Sequence, residues 1–299
     1  MNIKFASEGL GYEWGHEVII KLLNYCYGNT IISLNKNNYN IVFRSWCYWA
    51  EPYFNKNPKK YIYFSGETNE NKITQKSNYH TKYLNIITNI PNNDIENTLY
   101  IPYFFYSPHL YKKRINTNIN RKFLLAYCAS NPCNNRVEFF NKFIEKTNCE
   151  ITHSLGRNYG NYKKSHRQIG GDWKSMELIN TFSNYTFVMA FENTKSPGYI
   201  TEKIINAFYS GAIPIYWGSD NISTFFNEKA FIDVSNFKSF DECIDYILGL
   251  TKNDIQNYIN EDIYKNTDFV NLINDDYNRL NNNLIKNEYC NKLKNLIEN

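Results

Sequence analysis

The chain has 299 residues, of which 42% are hydrophobic and 17% aromatic, enough to bury a substantial core and longer than one compact domain usually needs. Its 33 Lys and Arg against 29 Asp and Glu leave a formal charge of +4, too small and too dispersed for a nucleic-acid footprint, though compatible with a local anion site. Seven cysteines (Cys26, Cys47, Cys128, Cys133, Cys149, Cys243 and Cys290) are odd in number, widely spread and free of CxxC or Cys/His ligand spacing, and so read as reduced thiols of a cytoplasmic protein. No run of about 18 apolar residues and no basic-then-apolar leader occurs. No transmembrane segment is therefore expected, and peripheral association with a membrane stays open.

In chain order, short apolar runs alternate with amphipathic segments. "IKFAS" precedes a helical stretch around Glu13 to Tyr25, followed by "TIISL", "NIVFR" and "YIYFSG". That alternation predicts βα units around a mainly parallel sheet. After "LYIPYFFYS", the segment "PHLYKKRINTNINRK" is basic, polar and aperiodic, and reads as a linker near residues 107–121. A second series follows: strand "FLLAYCAS", helix Asn135 to Lys146, strand "CEITHS", a glycine-containing stretch, helix Trp173 to Phe182, strand "YTFVMAF", helix Thr201 to Tyr209, and strands "IPIYW" and "FIDV". From about Thr267, Phe269, Ile273, Tyr277, Leu280, Leu284, Tyr289, Leu293 and Leu296 recur mostly every three or four positions, which predicts a long amphipathic helix packing back across the lobes. The expected organisation is an α/β domain over 1–110, a second over 121–265 and a C-terminal helix over 266–299.

Ligands of open parallel sheets collect at the carboxyl ends of strands, so the segments just after the strands are the places to look for chemistry. "YTFVMAF" runs into Glu192, Asn193 and Thr194, a Pro197-Gly198 turn follows, and "YITEKIINAF" starts a helix with Thr201 near its N-cap and Lys203 in its first turn. Helix-start amides beside a lysine suit an anion such as a diphosphate, although Glu202 beside Lys203 is also ordinary for a first helical turn. In "AYCASNPCNNRVEFF", Arg136 opens the helix after a strand and offers a planar fork for phosphate oxygens. Gly156 and Gly160 of "HSLGRNYG" allow close backbone approach to a ligand and Arg157 adds a donor, but the pattern matches no phosphate-loop motif. In the first series, "KYIYFSGETNE" sets Glu67 at a strand end, where partial burial would make it a general base; Glu70 is the rival carboxylate.

The chain carries no DxD, no HExxH and no nucleophile elbow, so neither a metal nor covalent hydrolysis is expected.

"FENTKSPGYITEKIINAFYSGAIPIYWGS" closely resembles the donor-binding signature of the family-ten glycosyltransferases, the α-1,3/4-fucosyltransferases that use GDP-fucose. The resemblance continues through "FIDVSNFKSFDECIDYI" and upstream through "CASNPCNNRVEFF", "YFSGE" and "LYIPYFF", covering roughly residues 40–250 in order. It implies two Rossmann-like lobes of the GT-B architecture, with the donor in the C-terminal lobe and the acceptor mainly in the N-terminal one. Carried over by position, it implies Glu67 as general base, Arg136 and Lys203 as the diphosphate clamp, and Asn193, Tyr199 and Glu202 around the nucleotide sugar, with Gly156 and Arg157 beside the donor. The implied reaction is a single inverting displacement that moves L-fucose from GDP-fucose to a hydroxyl of an oligosaccharide, α-1,3 to a GlcNAc or Glc unit, without a divalent metal. The first forty residues and the aromatic "SWCYWAEPYF" depart from the pattern, which leaves the acceptor unidentified. The alternatives are a transferase of the same fold using another nucleotide sugar, and a glycan-binding protein without turnover.

Overall fold

The computed structural model describes residues 3–8, 27, 32–34, 41–46, 61–65, 85–88, 98–110, 112–130, 133–157, 160–170, 172–265 and 290–295. The chain divides into two units: residues 1–106 with 196–199 and 267–299, and residues 107–195 with 200–266.

The first unit holds a six-stranded parallel sheet of β1 (Ile3–Glu8), β2 (Ile32–Leu34), β3 (Ile41–Trp46), β4 (Tyr61–Ser65), β5 (Asn85–Thr88) and β6 (Thr98–Tyr100), ordered β2-β1-β3-β4-β5-β6. The apolar runs of the sequence account for the first four strands. The sequence reading did not single out β5 and β6, whose runs "NIIT" and "TLY" are too short for a periodic signal. The helical expectation around Glu13 to Tyr25 falls outside the described residues, as do Glu67, Glu70 and all of the expected C-terminal helix except 290–295, which is helical.

The second unit is built on β7 (Phe123–Tyr127), β8 (Thr152–Ser154), β9 (Tyr185–Phe191), β10 (Ile213–Trp217) and β11 (Ile232–Asp233), all parallel and ordered β11-β10-β9-β7-β8. Five helices accompany them: α1 (Asn134–Lys146), α2 (Met176–Phe182), α3 (Glu202–Ser210), α4 (Phe240–Gly249) and α5 (Lys252–Asn260). Every residue of β9 is buried, as a strand covered on both faces requires, so "YTFVMAF" reads as a near-continuous apolar run instead of an alternating one. Side chains leave the central strands to opposite faces. On one face Leu125, Tyr127, Phe187 and Phe191 pack with Phe139 and Phe143 of α1 and Ile244 and Ile247 of α4. On the other, Ala126 and Val188 meet Leu178 and Phe182 of α2 and Ala207 of α3.

Local chemistry sets the helix boundaries. The helix expected from Trp173 begins only at Met176, because Asp172 first closes a turn: its carboxylate accepts from the Lys174 amide at 3.0 Å and its carbonyl from the Ser175 amide at 3.0 Å. Ser175 then caps α2 by accepting from the Leu178 amide at 3.2 Å. Thr251 and Asp254 form a reciprocal capping box at the start of α5. Four cysteines, Cys128, Cys133, Cys149 and Cys243, are free thiols, in line with the expectation from spacing, but Cys290 is disulfide-bonded, a cross-link that leaves no local motif to read. Among the described residues no helix is long and apolar enough to cross a membrane.

Candidate functional site

The winding of the second unit selects one place for a ligand. From β7 the chain moves to β8 on one side, then crosses to β9 on the other, so direction reverses at β7. The segments leaving the carboxyl ends of β7, β8 and β9 therefore diverge around a crevice, as at the switch point of any doubly wound sheet. A cleft of about 500 Å³ occupies that position. Its lining includes Arg136, Gly156, Arg157, Asn193, Glu202 and Lys203, six of the residues singled out from the sequence. Tyr199 is not among the lining residues; it is buried, with 4% exposure, and belongs with the first unit.

Each side chain is held by the strand ends. Arg136, in the first turn of α1 and only 3% exposed, donates from Nε and Nη2 to the Phe191 carbonyl at 3.1 and 2.6 Å, and from Nη2 to Asn193 Oδ1 at 2.7 Å. The guanidinium thus ties α1 to the last residue of β9 and fixes Asn193 beside it. A freely solvated helix-start arginine would not be anchored in this way.

Glu192, mentioned in the sequence reading only as part of the loop, proves central. Its carboxylate is 0% exposed, accepting from the Thr201 amide at 2.7 Å on Oε1 and from the Thr201 hydroxyl at 2.8 Å on Oε2. Lys203 Nζ donates to Glu192 Oε2 at 3.1 Å and to Thr201 Oγ1 at 2.8 Å, and Glu202 Oε1 lies 3.8 Å from the same ammonium. The start of α3, expected to face an external anion, therefore already holds an internal one. A carboxylate directly after a mostly apolar strand, every residue of which is buried, was the available sequence signal, since the sheet gives it no route to solvent.

Burial pushes the Glu192 carboxyl up, against the pull of Lys203 and the Thr201 donors. Burial alone would lower Lys203, but the Glu192 and Glu202 carboxylates outweigh it and hold the ammonium above its ordinary value, against a smaller opposing push from Arg136. Lys203 keeps 24% of its side chain exposed. The result is a charged ammonium locked in direction yet still accessible from the cleft, with a second cation near enough to repel it.

Two glycines are required by close approach. A Cβ on Gly156 would lie 2.3 Å from the Ala129 carbonyl oxygen, so its lack of a side chain lets the β7 and β8 exits touch; the contact is with backbone rather than ligand. A Cβ on Gly218 would lie 2.6 Å from Glu192 Cγ, so Gly218 makes room for the buried carboxylate. Arg157 is exposed at the cleft rim. Asn206 and Trp173, which the sequence did not single out, also line the cleft. Among the described residues no three His, Cys, Asp or Glu side chains gather at metal-binding distance.

Two parallel α/β units with this winding have the fold of the GT-B glycosyltransferases: a crystal structure of an α1,3-fucosyltransferase with GDP matches all of the chain and 91% of its own length, with TM-score 0.67 and 22% identity. The sequence profile described as glycosyltransferase family 10 (fucosyltransferase) C-term matches residues 117–297, more than half of the chain. An α-(1,3)-fucosyltransferase FucT of Helicobacter pylori is 57% identical over 65 residues, 22% of this chain and 14% of that protein. A mouse 4-galactosyl-N-acetylglucosaminide 3-α-L-fucosyltransferase 9 is 32% identical over 125 residues, 41% of this chain and 31% of that protein. The chain belongs to glycosyltransferase family 10. The matched stretches span less than a third of the length of these curated relatives.

Proposed function

We propose that this protein is an inverting fucosyltransferase that moves L-fucose from GDP-fucose to a hydroxyl of an oligosaccharide, α-1,3 to a GlcNAc or Glc unit. The observation that carries this reading is the convergence of Arg136, Asn193, Glu202 and Lys203 on one cleft at the switch point of the second unit. In this reading the diphosphate lies against Lys203 and Arg136, whose charge stabilises GDP as the bond to fucose breaks. Fixed donors of that kind commonly contribute about 3 to 4 kcal/mol each when they meet charge that grows in the transition state. Because they are tethered by Glu192 and the Phe191 carbonyl, they need little reorganisation during the reaction.

Glu67 is proposed as the base that takes the proton of the acceptor hydroxyl, and Tyr199 as a further contact to the nucleotide sugar. No divalent metal is needed in this scheme, since side-chain cations meet the developing charge. The support for fucose is the family and the relative crystallised with GDP-fucose.

The test is incubation with GDP-fucose and a glycan array, with product detected by mass, in EDTA as well as in Mn²⁺. Fucosylated product in both conditions, reduced at least about a hundredfold by Glu67→Gln and by Lys203→Ala, supports the scheme. Transfer from a different nucleotide sugar would replace the donor, glycan binding without turnover would replace the enzyme, and strict dependence on Mn²⁺ would overturn the metal-free mechanism.

A further inference from the structure

Asn206 sits in the middle of α3 with 3% exposure, and it lines the same cleft. Its Nδ2 donates to the Trp173 carbonyl at 2.6 Å, which settles the orientation of the amide, because the opposite one would set two oxygens against each other. Its Oδ1 is buried and has no hydrogen-bond partner among the described residues. An acceptor left in that state costs free energy unless something donates to it, and the residue that carries it lines a cleft.

The missing partner must carry an N–H or O–H. A diphosphate is acceptor-only at neutral pH and is ruled out as the group that meets Oδ1. Asn206 also lies three residues beyond Lys203, just under one helical turn or about 4.5 Å further along α3. The lining of the cleft also includes the apolar Leu178, Phe182 and Val188 and the indole of Trp173. Walls of that kind suit a flat heteroaromatic ring better than a hydroxylated sugar, and guanine differs from the other common bases in presenting a ring N–H and an amino group side by side on one edge.

We propose that Asn206 reads the base of the donor nucleotide, with Oδ1 accepting a hydrogen bond from the 2-amino group of guanine. The assignment rests on the GDP-sugar reading above and adds the residue that makes the site specific for the base. Lys203 would then hold the diphosphate and Asn206, just under one turn along the same helix, the guanine edge.

The experiment is a calorimetric comparison of GDP, IDP (which lacks the 2-amino group) and 2′-deoxy-GDP on the full chain, in wild type and Asn206→Leu. Wild type should bind GDP roughly tenfold or more tightly than IDP, the cost of leaving one buried polar group unpaired, while Asn206→Leu should bring the two within about twofold. The ratio is taken within each protein, so a general weakening of the fold cancels, and Asn206→Ala serves if leucine crowds Trp173. Equal affinity of wild type for GDP and IDP overturns the assignment without any variant. Discrimination that persists in Asn206→Leu also overturns it, as does a loss confined to 2′-deoxy-GDP, which would make the partner a ribose hydroxyl. If wild type binds no GDP at all, the donor reading itself fails, a result distinct from GDP binding without base discrimination.

Discussion

Charged groups meet in two different settings in the second unit. At the cleft, Glu192 and Lys203 face each other with 0% and 24% of their side chains exposed, and Thr201 satisfies what remains of the carboxylate. On the outer face, Lys142 and Lys146 of α1 reach Asp241 and Asp245 of α4, with Nζ–Oδ distances of 2.5 Å for Lys142 to Asp241 and for Lys146 to Asp245. The outer pairs are the shorter, yet distance is a poor guide to importance. Water already solvates the surface charges and salt screens them, so bringing them together changes little, whereas a buried carboxylate has no substitute for its partners. The cleft pair thus holds a cation in a fixed direction, whereas the outer ladder covers the seam between two helices.

The largest effect should come from breaking the buried pair. Glu192→Ala leaves Lys203 and the Thr201 donors without their acceptor and should cost about 3 to 5 kcal/mol in chemical unfolding. Glu192→Met combined with Lys203→Met should recover most of that stability, since an apolar pair of similar volume avoids the desolvation cost, yet should not recover GDP binding. Recovery of both would show that the pair has no functional role. A single-variant loss no larger than that of a surface change would show that the two settings are equivalent.

The middle effect concerns pH. Because the folded value of Lys203 is raised, its charge is complete below the ordinary lysine value of about 10.4 and is lost only as pH rises through the higher folded value. GDP affinity measured by calorimetry should therefore show no loss attributable to Lys203 between pH 7 and about pH 10, and should fall at more alkaline pH. A decline centred near pH 8 would mean that burial, rather than Glu192, dominates the lysine.

The smallest effect is expected at the outer ladder. Lys142→Ala should move the melting temperature by no more than about a degree or two, and the change should shrink in high salt. The Asp241 carboxyl, held low chiefly by its hydrogen bond from Lys142, should return towards the ordinary carboxylate range in this variant. A large loss of stability at Lys142 would erase the contrast between the two settings.

Much of the molecule was legible in the chain. The mostly apolar run "YTFVMAF", Thr201 ahead of an amphipathic segment, and the small polar stretches after strands located β9, α3 and the exits of β7 and β8. Arg136 and Lys203 were legible because each lies in the first turn of a helix that follows a strand and each falls in a signature block of the family. Glu192 was not, since a carboxylate beside an apolar strand looks like a loop residue until both faces of the strand are seen to be covered. Asn206 was even less visible: inside "EKIINAF" it reads as a polar position of a surface helix.

Local periodicity and residue types read in order were enough for the parallel α/β series, the cationic residues of the cleft and, through the signature blocks, the family. How those groups are held depends on packing in three dimensions. The reversal of winding at β7 makes neighbours of residues from three different strand exits, buries Glu192 as the anchor of Lys203, and leaves the oxygen of the cleft-lining Asn206 without a partner among the described residues. Burial and hydrogen-bond satisfaction are properties of what surrounds an atom in space, and residues as far apart in the chain as Arg136 and Phe191 supply those surroundings only once the sheet has formed.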